Sequence, residues 1–423
     1  MRNRARLAPN VESELQLSLR FHPQILVDSD LPPPTDAEEF WAAIDHRGTP
    51  LISRSGRPDE RRATFLYRCE NADQIYLEAN RLTDKRLIER GRMQRLEGTD
   101  VWWATLDVEA SSVFTYGFRE LTATTNTFAD AVRAHRQSGE PATLDPFNHD
   151  ADIDATGTGA LSIASMDEAP NTDIWRRTHQ DELRGSLLRS RTRLPTLDRA
   201  VEQLTYIPHP DTVRGPARLL VVTDAEVWFD RLGLPWALEE ASAAGTIRPV
   251  AVLGISNEHT AERIELLGAN PGFVDDLATF TVPAARRTIE RTIPLQGVEG
   301  TVLSGQSLGG LTALLAALRR PDCFGHVQSH SPSLWWTPDG SVTPANYAHE
   351  HQPWINEQFA RETATSTHID LRVGTREDIT NDHVDQLHDI LISRGYRSRV
   401  THFSGGHDFA CWRHALIDGL KEK

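Results

Sequence analysis

Thr301-Val-Leu-Ser-Gly-Gln-Ser-Leu-Gly-Gly-Leu-Thr-Ala-Leu-Leu-Ala-Ala-Leu318 is the stretch on which the fold turns. A short apolar run, Thr301-Val-Leu303, leads into Ser304-Gly305-Gln306-Ser307-Leu308-Gly309-Gly310, and a helix-like segment from Leu311 to Leu318 follows. Gly-x-Ser-x-Gly between a strand and a helix is a nucleophile elbow: the small residues let the turn tighten, so that Ser307 is held exposed at a helix N-terminus. Hydrolases built this way place an acid and then a histidine downstream, each just past a strand end. The run ending Arg372-Val-Gly374 leads into Thr375-Arg376-Glu377-Asp378, and the run ending His402-Phe403 leads into Ser404-Gly-Gly-His407-Asp408. Ser307, Glu377 and His407 are therefore the expected catalytic residues. Glu377 is favoured as the acid, with Asp378 beside it and Asp382 also able to reach. An oxyanion hole needs two backbone donors. Leu308 N–H supplies one, and Ala225, in the loop after Leu219–Val222, is the candidate for the other, with Asp224 bracing that loop.

Outward from the elbow, strand-like runs at Leu219–Thr223, Val250–Gly254, His368–Val373 and Arg399–Phe403 alternate with helix-period segments. In Asp382–Arg394, for example, Val384, Leu387, Ile390 and Leu391 recur at helical intervals before Gly395. Such alternation predicts an α/β-hydrolase domain over residues 200–423, a mostly parallel sheet with helices on both faces. Upstream, Thr64–Arg68, Gln74–Glu78, Asp100–Leu106 and Ser112–Phe118 show the period-two placement of aromatic and β-branched residues that marks an antiparallel sandwich, assigned to 36–150. Residues 1–35 read as a flexible arm, and the polar stretch 151–199 as a linker or strap.

Composition narrows the classes. The 423 residues carry Lys+Arg 45 against Asp+Glu 60, a net charge of −15 that repels nucleic acid. No apolar run approaches the ~20 residues of a membrane span, and the basic start lacks the apolar segment of a secretory signal. Three well-separated cysteines, Cys69, Cys323 and Cys411, suit a reducing compartment, so a cytoplasmic protein is expected. Cys411, close to His407, reads as a packing residue rather than a second nucleophile. The histidines show no metal-ligand spacing, and no protein-held metal or cofactor is expected. Nothing in the sequence marks an oligomeric state.

Both halves resemble the enterochelin (ferric enterobactin) esterases. The downstream half carries Ser304-Gly-Gln-Ser-Leu-Gly-Gly310, Ser329-His-Ser-Pro-Ser-Leu-Trp-Trp336, Gly374-Thr-Arg-Glu377 and Gly405-Gly-His-Asp-Phe-Ala-Cys-Trp-Arg413. The upstream half carries Phe40-Trp41, Arg47-Gly-Thr-Pro50, Gly98-Thr-Asp-Val-Trp102, Thr115-Tyr-Gly-Phe118 and Leu144-Asp-Pro-Phe-Asn148, as in that family's immunoglobulin-like β-sandwich domain. The resemblance implies hydrolysis of the trilactone backbone of a ferric catecholate siderophore in the cytoplasm, the iron arriving as part of the substrate. It further implies that Arg263, in the family's Arg-x-Glu-Leu stretch, and Arg413 meet the anionic complex. Trp335, Trp336, Trp412 and Trp228 are then candidate walls for catechol rings. The family usually carries glycine where this chain has Ala225, a difference that matters where φ is positive. Two other readings stay open. An esterase-D-type carboxylesterase for acylated sugars keeps the triad and changes the substrate; a non-catalytic siderophore-binding protein is opposed by the intact Ser307, His407 and acid.

Overall fold

The computed structural model describes residues 31–122, 127–150, 152–155, 159–177 and 181–421. Most of the expected N-terminal arm, 1–30, thus lies outside the described residues. Upstream, seven strands form two antiparallel sheets. One has the order β1 (Leu51–Arg54), β2 (Glu60–Arg68), β5 (Val101–Glu109), β4 (Gln94–Arg95); the other has β3 (Gln74–Ala79), β6 (Val113–Leu121), β7 (Ser162–Ser165). Alternate residues of both sheets, among them Phe65, Tyr67, Leu77, Phe114, Tyr116 and Phe118, meet in one core, as period-two sequences must when one face is buried. This is the β-sandwich expected from the sequence.

Downstream, eight strands form one sheet in the order β15 (Arg397–Phe403), β14 (His368–Gly374), β13 (His326–His330), β12 (Thr301–Gln306), β10 (Arg218–Thr223), β11 (Val250–Ile255), β9 (Arg199–Ile207), β8 (Ser186–Leu194). All neighbours from β15 to β11 are parallel, and β9 and β8 add antiparallel to the far side. The inner strands β10, β11 and β12 are covered on both faces, which is why they read as near-continuous apolar runs. Leu219, Val221, Leu253, Leu303 and Ile369 point into one core, with helices Leu308–Arg319 and Ile379–Ser393. Leu220, Val222, Val252 and Val302 point into the other, with helices Leu234–Ala243 and Phe409–Leu420. The fold is an α/β hydrolase preceded by a β-sandwich.

The stretch 151–199, expected as a strap, contributes strands to both units. β7 closes the second sandwich sheet against β6, and β8 is the edge of the large sheet. β8 reads Ser-Leu-Leu-Arg-Ser-Arg-Thr-Arg-Leu and is exposed along most of its length, so it lacks the buried face that would give an apolar alternation. β13 also escapes the apolar pattern, because His326, Gln328 and His330 are buried on one of its faces.

The candidate active site

The central strands deliver the site at their carboxyl ends, where open α/β sheets place their ligands. At the elbow, Ser307 has φ 57° and ψ −118°. A Cβ on Gly305 would stand 2.3 Å from the Gly309 carbonyl oxygen, and one on Gly309 would stand 2.3 Å from Thr223 Oγ1, so neither position accepts a side chain without moving backbone or strand. From Thr301 to Ala317, Ser307 alone is not buried. Its hydroxyl lies 3.2 Å from Ser333 Oγ, and its N–H donates to His330 O at 2.9 Å.

Glu377 follows β14 and His407 follows β15, the strands next but one and next again along the sheet. His407 Nδ1 and Glu377 Oε2 are 2.7 Å apart. Glu377 is 1% exposed, whereas Asp378 is exposed, with φ 43°. Geometry therefore separates two carboxylates that adjacency in sequence does not. The other Glu377 oxygen accepts from Gly374 N–H at 3.0 Å and from Ser331 Oγ, which in turn accepts from Trp412 Nε1 at 2.9 Å. Burial alone would push the Glu377 carboxyl up; the charge on His407 and these hydrogen bonds reverse that and hold it below the usual glutamate range. The chain Trp412, Ser331, Glu377, His407 leaves the imidazole 30% exposed and fixed at Nδ1.

Leu308 opens its helix, so its N–H has no intrahelical acceptor. Ala225 sits just past β10, fully buried, with φ −62° and ψ −31°. Alanine is unstrained there; the left-handed residue is its neighbour Asp224, φ 57°. Asp224 braces this loop by accepting from side-chain donors. It accepts from Asn257 Nδ2 at 2.9 Å, from Gln306 Nε2 beside the elbow, and from Arg263 Nε at 2.6 Å and Nη2 at 3.1 Å. Glu226 accepts from Asn257 N–H at 3.0 Å; burial and then the Asp224 charge push its carboxyl up to about 7.

The structure brings Ser307, Glu377, His407, Leu308 and Ala225 to one end of the sheet, with Arg263 held to the loop of Ala225 through Asp224. Trp335 and Trp336 remain partly exposed just beyond Ser333, Trp336 lying edge-on to Trp354 with ring centroids 5.1 Å apart. Three expected substrate contacts fall in the scaffold instead. Trp228 is 1% exposed and donates to Gln306 Oε1. Trp412 packs edge-on to the His407 ring at 4.8 Å and holds Ser331. Arg413 is 4% exposed with its guanidinium over Trp175, 5.7 Å from the ring centroid, and burial brings its pKa down to about 10. Trp412 and Arg413 lie on a helix packed against the sheet, so both point into protein rather than the cleft. Cys411 donates to Val113 O at 3.0 Å and is buried, a packing role.

Sequence reasoning missed Ser331 and Ser333, although both lie in Ser329-His-Ser-Pro-Ser333. It also missed the contribution of the sandwich. Asn80 Nδ2 donates to the His407 carbonyl at 3.1 Å, and Thr115 N and Oγ1 each donate to Asp408 Oδ2 at 2.7 Å. Arg376 Nη1 reaches Glu109 at 3.0 Å and Ser112 at 2.9 Å. Among the described residues no helix is long and apolar enough to cross a membrane, and no group of three or more His, Cys, Asp or Glu is gathered as metal ligands would be.

A strand-borne elbow, a buried glutamate and a histidine on successive strand ends define the class: the chain is a carboxylic ester hydrolase of the α/β-hydrolase fold. The Esterase family model matches residues 195–422, and the enterochelin esterase N-terminal model matches 62–175. The chain belongs to the enterochelin esterase family. It is 37% identical over 384 residues to the iron(III) salmochelin esterase of Escherichia coli O6:H1, covering 90% of this chain and 92% of that protein. It is 29% identical over 418 residues to the iron(III) enterobactin esterase of Dickeya dadantii, covering 92% and 93%. In fold it is similar to the ferric enterobactin esterase of Salmonella typhimurium, with TM-score 0.76 and 23% identity over 90% of this chain and 97% of that one.

Proposed function

We propose that this enzyme hydrolyses the seryl ester bonds of a ferric catecholate siderophore of the enterobactin or salmochelin kind, with Ser307, His407 and Glu377 as its triad. The observation that carries the chemistry is the 2.7 Å hydrogen bond that a buried, ionised Glu377 accepts from His407, the two residues standing at the ends of β14 and β15 on the same side of the elbow. The named relatives support the substrate. His407 Nε2 takes the Ser307 proton as Oγ attacks the ester carbonyl, and Glu377 holds the Nδ1–H tautomer and balances the imidazolium. Leu308 and Ala225 N–H groups bind the oxyanion. His407 then protonates the departing seryl hydroxyl, and water, deprotonated by the same imidazole, clears the acyl-enzyme. Ser333 parks the Ser307 hydroxyl before substrate arrives. Arg263 holds the oxyanion loop through Asp224, and Trp335 and Trp336 offer ring surfaces to the catechols. Three unpaired cysteines support a cytoplasmic setting.

Ser307→Ala tests the reading. It should abolish release of linear products from ferric enterobactin, followed by mass spectrometry, while tryptophan quenching still reports binding. Full hydrolysis by that variant would remove Ser307 from the mechanism.

A further inference from the structure

The turn after β3 belongs to the sandwich, yet it leans on the loop of the expected catalytic histidine. Asn80 bonds the His407 carbonyl, and the next residue, Arg81, runs past Gly406: a Cβ on Gly406 would stand 2.5 Å from Arg81 Cγ. The turn is built rigidly. Thr83, fully buried, donates to Leu77 O at 2.7 Å and accepts from Ala79 N–H at 2.8 Å, and its carbonyl accepts from Tyr76 Oη at 2.7 Å. On this frame two non-glycine residues take left-handed backbone, Arg81 with φ 57° and Lys85 with φ 52°. Strain of that kind persists where the surroundings impose it, often at ligand clamps.

The charges on this turn go unanswered. Neither Arg81 nor Lys85 has a hydrogen-bonded or ion-paired carboxylate among the described residues, in a chain with 60 acids for 45 Lys and Arg. Arg376, on the catalytic half, is by contrast paired with Glu109. Partial burial and then the neighbouring Arg81 charge lower the Lys85 ammonium, while Asp84, Glu377 and Asp378 act on it in the opposite sense. Lys85 is thus within electrostatic reach of the proposed catalytic acid.

We propose that Arg81 and Lys85, carried by the sandwich, form a preorganised clamp for the anionic ferric catecholate at the mouth of the active site. The inference rests on the substrate reading above and assigns the sandwich a share of substrate recognition. Three catecholate dianions around iron(III) leave a trianion, which two unpaired cations on a rigid turn attract without first breaking an ion pair. The clamp also explains how a protein with a net charge of −15 admits such a ligand.

The test uses the full chain and ferric enterobactin. Dissociation constants from tryptophan quenching and KM values are measured for wild type, Arg81→Gln, Lys85→Gln, the double variant and Arg81→Lys across ionic strength. Each lost cation should raise Kd and KM on the order of tenfold at low salt. The double variant should lose most of the salt dependence and most of the preference for ferric over iron-free trilactone, and Arg81→Lys should recover the Arg81→Gln loss. A double variant with wild-type Kd and salt slope overturns the clamp and leaves the reaction standing. Wild type that binds the ferric complex without cleaving it overturns the reaction and leaves the clamp to be judged by Kd. Wild type that neither binds nor cleaves removes both.

Discussion

Glu377→Gln tests the site at its most buried point. One Glu377 oxygen accepts two donors, Gly374 N–H and Ser331 Oγ–H; the other faces His407 Nδ1 at 2.7 Å. A glutamine has one acceptor oxygen and one donor NH2. Keeping the oxygen on Gly374 and Ser331 turns the NH2 toward His407, so Nδ1 must accept and the ring proton moves to Nε2, the atom that has to take the Ser307 proton. The opposite flip sets the NH2 against the Gly374 N–H at the bottom of a fully enclosed site, and so is disfavoured. Wrong tautomer and lost negative charge together should lower kcat by about 10³–10⁴, or about 4–5.5 kcal/mol of transition-state stabilisation, with little change in Kd for the substrate. Steady-state hydrolysis of a p-nitrophenyl ester at pH 7.5 to 8, paired with quenching titrations, measures both. Asp378→Asn is the control: that carboxylate is exposed, asparagine tolerates φ 43°, and kcat should stay within about threefold. A loss under about tenfold in Glu377→Gln, or an equal loss in Asp378→Asn, would refute the assignment of the acid.

Thr115→Val removes one of the two donors that tie Asp408 to the sandwich and should cost about 1–3 kcal/mol of stability while lowering kcat, with Thr115→Ser restoring both. Calorimetry and ester turnover read this out; wild-type values for the valine variant would mean that the histidine loop holds itself. Glu226, pushed up to about 7, protonates more readily folded than unfolded, so its contribution favours folding at low pH and turns progressively unfavourable from about 4.3 up to about 7. Glu226→Gln should therefore be more stable than wild type at pH 8, with the gap closing as the pH falls to about 4. Melting curves at the two pH values decide the point, and a gap that widens toward acid would contradict it.

The elbow was legible because its chemistry is local: Ser307 and its glycines are contiguous, and Gly305 is required by its contact with Gly309 in the same turn. The order of acid and histidine was legible because strand ends could be counted. Glu377 could be favoured over Asp378 but not separated from it, since neighbours on a loop point in opposite directions and burial is what tells them apart. For Trp228, Trp412 and Arg413 the motif located the residue but not the side of its element that faces protein. Asn80, Arg81 and Thr115 meet the His407 loop from some 300 residues away in sequence, a juxtaposition that no spacing rule contains.

β8, too polar to read as a strand, is the outer edge of an eight-stranded sheet, with one row of backbone donors and acceptors unpaired by any strand among the described residues. Every second residue from Arg189 to Arg193 is an arginine. Arg189 is held by Glu202 and Asp230, Arg191 by Glu258, and Arg193 by Asp198. A second molecule seeking to extend the sheet there would have to lay its own strand along a row of anchored charges, which is how soluble proteins keep open edges from templating aggregates. The polarity that hides β8 from a reading for apolar alternation is thus its safeguard in a crowded cell. Replacing those arginines with valine would make the strand easier to recognise and the protein harder to keep in solution.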